Sequence, residues 1–481
     1  VSYEYKTVPF AHQREDFEKT RDKPAWAHFH EQGTGKSKII VDTAAYLYEV
    51  GEINGMLVVA PNAVHQNWRT DELPTHLVDR VAENSMAVSF LNAKKKTKWH
   101  KRELTDFLAK KDGFKMLTMP YSGFMTQEGK ELAWAFMKQG IMMVCDESGE
   151  IKTPGAKRTK SLIAAGKYPA YRRILDGTPT AQSPFDVYAP LRFLDQDYWK
   201  QYKIPTFQAF KHRFGTFMGA PNGGEFCTGY VNLDELYEWL QPISSRVLKE
   251  DVLDLPERLY SKARFEMTAE QTRIYNMIKD EYRAEVNGME WEADLAIVRQ
   301  LRLQQVACGY LPTPEEAGEF AEPYQLIGPT NPRLELLMEL LEHTPHQAII
   351  WCRFKMDIDQ ILTRLGKTAV RLDGSVDEEG RERAKKLFKS GERQWLVANA
   401  AVGGTGLTLN CAKSMFFYSN SFVPRHRLQA EDRNHRIGQD TSVLVTDLMA
   451  SQSIDYHIVN SLRRKRAVSA ETLGDRESEW L

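Results

Sequence analysis

A stretch able to hold a nucleoside triphosphate runs through His30-Glu31-Gln32-Gly33-Thr34-Gly35-Lys36-Ser37-Lys38, where two glycines precede a lysine, a hydroxyl and an apolar helix. Glycine at 33 and 35 lets the loop's backbone N–H groups, that of Thr34 included, turn toward phosphate oxygens. Lys36 supplies a point charge to the outer phosphates, and the Ser37 hydroxyl suits Mg2+. The helix through Ile39 to Leu47 points its positive end at the same place. A full eight-residue phosphate loop opens on glycine, and this chain carries His30 there. An ordinary glycine turn before a helix is the competing reading, so partner groups decide.

Those partners are two carboxylates. The apolar run Ile141 to Cys145 leads straight into Asp146-Glu147-Ser148-Gly149. That places Asp146 and Glu147 at the carboxyl end of a buried strand, where an open α/β sheet holds its ligands. Asp146 would hold Mg2+ through water, and Glu147 would orient and activate the attacking water. About twenty residues before the loop, the Gln13 amide can pair with both a donor and an acceptor on an adenine edge; its plainer reading is a surface glutamine.

Positioning these groups takes buried parallel strands. Gly55 to Ala60, stopped by Pro61, is a short apolar run of that kind, as are Met116 to Met119, Ile141 to Cys145 and Arg173 to Leu175, with helical stretches between them. Alternating strands and helices predict a doubly wound parallel sheet over residues 1–195. Residues 196–330 lack that rhythm: Phe207 to Phe214 and Thr268 to Cys308 are helical in pattern, and Gly219 to Gly224 must be a turn or hairpin tip. A second alternating region spans 331–460, and a basic tail, with Arg463-Arg464-Lys465-Arg466, spans 461–481.

Composition bounds the class. The 481 residues exceed one core, and 42% hydrophobic with 27% charged residues is a globular profile. No apolar run reaches membrane-spanning length, so no membrane partner is expected and the chain is read as intracellular, in cytoplasm, nucleoid or nucleus. Five scattered cysteines include no C-x-x-C pair and are read as reduced core thiols. A net charge of −1 gives no global pull on nucleic acid, which leaves local patches such as Lys94 to Arg102 or the Arg463 cluster; such runs are ordinarily solvated faces.

The order Gln13, Gly33 to Ser37, Ala60-Pro61 with Trp68, Asp146-Glu147 and Gly177-Thr178-Pro179 resembles the first motor domain of superfamily 2 helicase-like ATPases. It is most similar to the Swi/Snf-like branch, because Asp146 to Thr153 runs like that branch's Asp-Glu-x-His-x-Ile-Lys-Asn and Leu248 to Pro256 resembles its connector. The second half follows suit with Gln347 to Cys352, Arg371 to Ser375, Val402 to Leu409, and Gln429 to Gln439, the most specific piece. The sequence departs from the pattern at His30, at Gly149 where the family has a His that couples ATP state to nucleic-acid grip, at Asp176 and at Gln182.

The resemblance implies two RecA-like doubly wound parallel-sheet domains in tandem with helical insertions, and ATP and Mg2+ as cofactors. It makes Lys36, Asp146, Glu147, Arg433 and Arg436 the catalytic set, with the two arginines reaching the phosphates from the second domain. A spacing of three suits one helical face, which would let both guanidinium groups converge on one anion. Gly404 and Gln429 join the nucleotide contacts, and Ser37 and Asp146 the metal. Nucleic-acid contacts are expected from Pro61, Asn62, Trp68, Arg69, Tyr121, Gly374, Ser375, Gly403 and Thr405, on loops that suit sequence-independent backbone binding. The implied activity is an ATP-driven translocase on double-stranded DNA, acting as a monomer, that remodels DNA or DNA-bound proteins or reanneals strands. A nucleotide-gated DNA clamp with low turnover, suggested by Gly149, and a strand-separating DNA or RNA helicase are the alternatives.

Overall fold

The computed structural model describes residues 3–62, 64–91, 97–219, 223–288, 293–313, 324–403, 409–436 and 438–476. Lys94, Lys95 and Lys96 of the first basic run, turn residues 220–222, and Gly404, Thr405 and the rest of 404–408 lie outside them. The chain divides into two compact units: Val1–Thr216 with Gly229–Asp254 and Val468–Arg476, and, among the described residues, Phe217–Thr228 with Leu255–Ala467. The segment 196–330 therefore contributes to both units.

In the first unit the apolar runs become strands. These are β1 (Ala25–His28), β2 (Gly55–Ala60), β3 (Met86–Ser89), β4 (Lys115–Pro120), β5 (Ile141–Asp146) and β6 (Tyr171–Leu175). After a two-stranded sheet of β7 (Gly215–Gly219) and β8 (Glu225–Tyr230), the short β9 (Ser244–Ser245) completes a seven-stranded sheet ordered β3-β4-β2-β5-β6-β1-β9, parallel at every pairing. Successive side chains of a strand point to opposite faces, and both faces here are apolar. Leu57, Val59, Leu117, Met119, Met143 and Cys145 pack on one side, Met56, Val58, Met116, Met142 and Val144 on the other.

The second unit repeats the architecture. Its strands are β10 (Arg258–Phe265), β13 (Ala348–Cys352), β14 (Ala369–Leu372), β15 (Trp395–Asn399), β16 (Ser414–Phe417) and β17 (Val443–Ala450), ordered β10-β17-β16-β13-β15-β14, again all parallel. A small antiparallel pair, β11 (Tyr310–Pro312) and β12 (Tyr324–Leu326), stands apart from it. The expected fold class, parallel α/β sheets in tandem, is what the topology shows.

Between the sheets' strands the helical expectations over 207–214 and 268–308 are met by helices Phe207–Phe214, Ala269–Gly288 and Ala293–Ala307. Two readings need correction. The region 196–330 also supplies β10, an edge strand whose alternation of exposed Leu259 with part-buried Tyr260 did not read as a buried run. Residues 461–473 are no tail: they continue the helix Ile454–Leu473, anchored by Ile458 and Leu462 at a four-residue spacing against Leu303 and Val306. Cysteines 145, 308 and 352 are buried free thiols as expected, whereas Cys227 is exposed. Among the described residues no helix is long and apolar enough to cross a membrane.

Charged groups are buried in the second unit, Arg333 among them. Arg333, fully buried at the start of helix Pro332–Glu342, is paired with Asp455 and donates to the carbonyls of Ala307 at 3.2 Å and Leu448 at 3.3 Å. It thereby ties helix, strand and connector at one point. Truncating it would strand the Asp455 carboxylate in the core, a change that costs about 3–5 kcal/mol. Arg333→Ala is expected to lower the free energy of unfolding of the second unit, measured in urea, by that amount, with exposed Arg364→Ala as a control that stays within about 1 kcal/mol.

Candidate functional site

Every group assigned to phosphate chemistry in the first unit lies at the carboxyl end of a strand. The loop after β1 turns through Gly33 and Gly35, both left-handed with φ of 86° and 83°, which side chains rarely tolerate. At Gly35 a Cβ would also fall 2.1 Å from Gln13 Nε2. Helix Lys36–Glu49 starts immediately after, so its first N–H groups open into the loop. The Lys36 ammonium curls into the loop and donates to the carbonyl oxygens of His30 (2.7 Å) and Glu31 (3.1 Å). Gln13 braces the same loop from outside. Its Nε2 donates to Thr34 O at 3.0 Å, beside His12 Nε2 at 2.8 Å from the same oxygen, while its Oε1 accepts from Phe10 N.

His30 stands where a phosphate loop would have glycine, and the structure shows what it does. Its ring is fully buried, with Nε2 2.9 Å from Ser245 Oγ and 3.5 Å from Asp16 Oδ2; His28 Nδ1 lies 2.7 Å from the same carboxylate oxygen. Burial alone would raise Asp16, yet the facing His28 and His30 hold its carboxyl well below the usual range. Burial pushes His30 the other way, down to about 3 despite the pull of Asp16. The cluster fastens the loop's first residue to the helix Ala11–Thr20 and to β9.

Asp146 ends β5. Its Oδ1 accepts from Glu147 N at 3.0 Å and its Oδ2 from the indole Nε1 of Trp68 at 3.0 Å; the phenol of Tyr121 donates to its backbone carbonyl at 2.9 Å. The surrounding packing pushes the carboxyl's pKa up, and the Trp68 bond and the charge of Lys36 pull it back. Glu147 adopts the left-handed conformation, φ 54° and ψ 58°, a strain of about 1–3 kcal/mol for a residue with a side chain, and its Oε1 accepts from Gln32 Nε2 at 3.1 Å. The phosphate loop thus reaches across to hold the expected base. Ser37 and Asp146 offer only oxygen donors, which fits Mg2+. When bound, that ion would neutralise triphosphate charge; Lys36 and the loop amides would bind the phosphates, and Glu147 would take the proton of the attacking water.

Two departures noted in the sequence turn out to be partners. Asp176, buried after β6, accepts from the backbone N–H of Gly149 at 2.6 Å and from Thr178 N at 2.9 Å. A carboxylate and a main-chain amide make the link between these two loops.

Trp68 and Tyr121 were expected to touch nucleic acid, and the structure turns both inward: they are 1% and 3% exposed, with their polar atoms spent on Asp146. Their large apolar bodies pack better in the core than in water. The neighbouring Asn62 and Ser122 are exposed and bonded to each other at 2.9 Å, Pro61 is half-buried, and Arg69 pairs with Glu103 at 2.9 Å. Gln32 carries no signal along the chain, because an amide inside a phosphate loop has no spacing signature.

In the second unit Gly374 and Ser375 are exposed after β14, where Asp373 Oδ1 accepts from Ser375 N at 2.9 Å. Gly403 ends the short helix Ala400–Gly403. Gln429 is buried in helix Pro424–Glu431, which stops one residue short of Asp432. Arg433, buried, and Arg436, half-buried with Nε donating to Asp432 O at 2.9 Å, therefore sit on the turn beyond the helix and not on one helical face. The last helical residue, Glu431, is held in the core by Arg427, Arg258 and Tyr260.

A model of the SNF2-related domain matches residues 26–308, and one of the helicase conserved C-terminal domain matches residues 332–438. Transcription regulatory protein SNF2 of Saccharomyces cerevisiae is 25% identical over 474 residues, covering 92% of this chain and 26% of that protein. The chromodomain-helicase-DNA-binding protein 1-like of Danio rerio is 25% identical over 460 residues, 92% of this chain and 41% of its own length. For the human DNA annealing helicase and endonuclease ZRANB3 the figures are 25% over 458 residues, 93% and 39%. The chain thus spans less than half the length of these relatives. The solved Sulfolobus solfataricus SWI2/SNF2 ATPase core in complex with dsDNA aligns over 98% of this chain and 95% of that one, with 21% identity and a TM-score of 0.42.

The Asp16–His28–His30 cluster makes the first unit sensitive to acid. His30 stays neutral in the folded chain down to about 3 but takes a proton near 6.5 when unfolded, so the unfolded state binds more protons between those values and stability falls as pH drops from 6.5 toward 3. Asp16, held low when folded, gives up its contribution further down, in the same direction. Urea unfolding at pH 7 and pH 5 is expected to show a loss of about 2 kcal/mol assignable to His30, and His30→Gln should remove most of that pH dependence.

Proposed function

Because the chain belongs to the SNF2-related family, with a helicase conserved C-terminal domain behind the first, and is with that family a DNA-dependent ATPase, we propose that it is a translocase on double-stranded DNA. It hydrolyses ATP with Mg2+ to remodel DNA or protein–DNA complexes or to reanneal strands. The observation that carries this reading is the convergence at one sheet edge of Lys36, Asp146 and a strained, amide-held Glu147, which are the charge, the metal-holding carboxylate and the base that phosphoryl transfer to water needs. Arg433 and Arg436 neutralise the charge that develops on the transferring phosphoryl group.

Gln13, Gly33, Thr34, Gly35, Lys36 and Ser37 hold the nucleotide, with Gly404 and Gln429, and Ser37 and Asp146 hold the metal. In this reading Gln13 acts on the nucleotide through the loop it braces. Pro61, Asn62, Arg69, Gly374, Ser375, Gly403 and Thr405 meet the phosphate backbone of the duplex, which is the sequence-independent part of DNA binding. Exposed Lys101 and Arg102 on the helix that carries Glu103, the Arg69 partner, add positive charge beside that edge. Reannealing is retained among the outputs because one relative is named a DNA annealing helicase. The clamp reading drew on Gly149, and the bond from its N–H to Asp176 supports a connected rather than a broken loop there.

Steady-state phosphate release by the intact chain is expected to rise most with duplex DNA, less with single strands and least with duplex RNA. Glu147→Gln should lower the stimulated rate by about a hundredfold or more, and Arg436→Ala by about a thousandfold. Turnover indifferent to every nucleic acid, with nucleotide-dependent DNA binding intact, would leave the clamp.

A further inference from the structure

Asp146 is held by two segments that lie outside the phosphate loop, those leaving β2 and β4. The loop leaving β2 starts with half-buried Pro61 and exposed Asn62 and ends in Trp68, the first residue of a π-helical turn, Trp68–Glu72. Turns of that kind are uncommon and gather at functional sites. The segment leaving β4 is the short helical turn Tyr121–Phe124, in which exposed Ser122 follows Tyr121. At their outer ends the two loops are joined, Ser122 Oγ donating to Asn62 Oδ1 at 2.9 Å. At their inner ends both reach Asp146: Trp68 Nε1 donates to its carboxylate Oδ2 and Tyr121 Oη donates to its main-chain oxygen. The two aromatic bodies are packed almost free of solvent, so a shift of the outer loops has little slack to absorb it before it reaches the carboxylate.

Gly149, by contrast, has no side chain with which to report on anything, and its N–H is engaged by Asp176. We infer that Trp68 and Tyr121 are positioning residues that couple the duplex-facing loops to the metal-holding carboxylate, so that DNA binding sets how Asp146 receives Mg2+–ATP. This rests on the translocase reading for the direction the loops face and for the role of Asp146. Neither residue touches DNA or phosphate: each acts through Asp146. Coupling of this kind is reciprocal. The factor by which duplex changes nucleotide affinity is the factor by which nucleotide changes duplex affinity.

That factor is the measurement. The affinity of the intact chain for a fluorescein-labelled blunt duplex is determined with and without Mg2+ and the β,γ-imido analogue of ATP, and the ratio of the two values is the coupling factor. Trp68→Phe keeps an aromatic ring and removes the N–H donor; Tyr121→Phe removes only the hydroxyl. The ratio is expected to fall by about tenfold toward one in Trp68→Phe, and by a smaller step in Tyr121→Phe. Side chains that merely pack would move both affinities together and preserve the ratio, which would overturn the inference. Should Trp68→Phe not fold, the near-isosteric Tyr121→Phe decides alone on the same criterion. A wild-type ratio of one also overturns the coupling. The translocase reading fails separately, through absence of duplex-stimulated ATP turnover in the unaltered chain, so the two failures are told apart.

Discussion

Strands β2 and β5 are apolar on both faces up to Asp146, and β4 interrupts that pattern in mid-strand only with Thr118, bonded to Ser89, so the charged side chains of these strands are left to the strand ends. The first unit follows from this constraint. Its phosphate loop, its paired carboxylates and the Asp176 turn all sit where the chain leaves the sheet at the carboxyl edge. Because the strands run parallel, these exits fall on one edge and become neighbours in space although they lie far apart in sequence: Gln32 meets Glu147 across 115 positions and Trp68 meets Asp146 across 78. The parallel sheet makes a single site out of separate loops.

Rigidity at that edge comes from polar bonds in packed surroundings. Glycines at 33 and 35 let the loop curl tightly enough for Lys36 to reach its carbonyls, and the same curl presents the Thr34 oxygen to Gln13 and His12. The loop is thus fixed from inside by a cation and from outside by the side chains of Gln13 and His12. Glu147 holds a left-handed conformation that its neighbours must enforce, and the Gln32 amide is one of them. In the second unit the same role falls to buried arginines. Arg333 and Arg427 each satisfy carboxylates that would otherwise be costly in a core: Arg333 meets Asp455, and Arg427 meets Glu431 and Asp447.

Departures from the family pattern are easier to understand as sets than as single residues. His30 is tolerated at a glycine position because Asp16, His28 and Ser245 surround its ring with polar partners. Asp176 and Gly149, two separate departures along the chain, are bonded to each other, the carboxylate accepting from the main-chain amide. Pairing of this sort is invisible along the chain because the partners sit on different strands' exits.

Long apolar strands and the residue types that carry chemistry are legible along the chain. Runs such as Met142 to Cys145 are too apolar to lie anywhere but inside, and a glycine-rich loop before a lysine or a carboxylate pair after a buried strand has a chemical meaning that needs no partner to be recognised. Short or mixed strands escaped: β1 contains His28, β3 has four residues, and β10 is an edge with one exposed flank. Side-chain orientation depends on packing between segments distant in the chain. Trp68 and Tyr121 carry the same types whether they face solvent or core, and only the packing of neighbouring loops turned them onto Asp146. Likewise the spacing of Arg433 and Arg436 suits a helix, but helix Pro424–Glu431 stops before either, and both lie on the turn beyond it. Local pattern fixes where a side chain can be; which partner it meets there depends on free energies of burial that involve residues a hundred or more positions away.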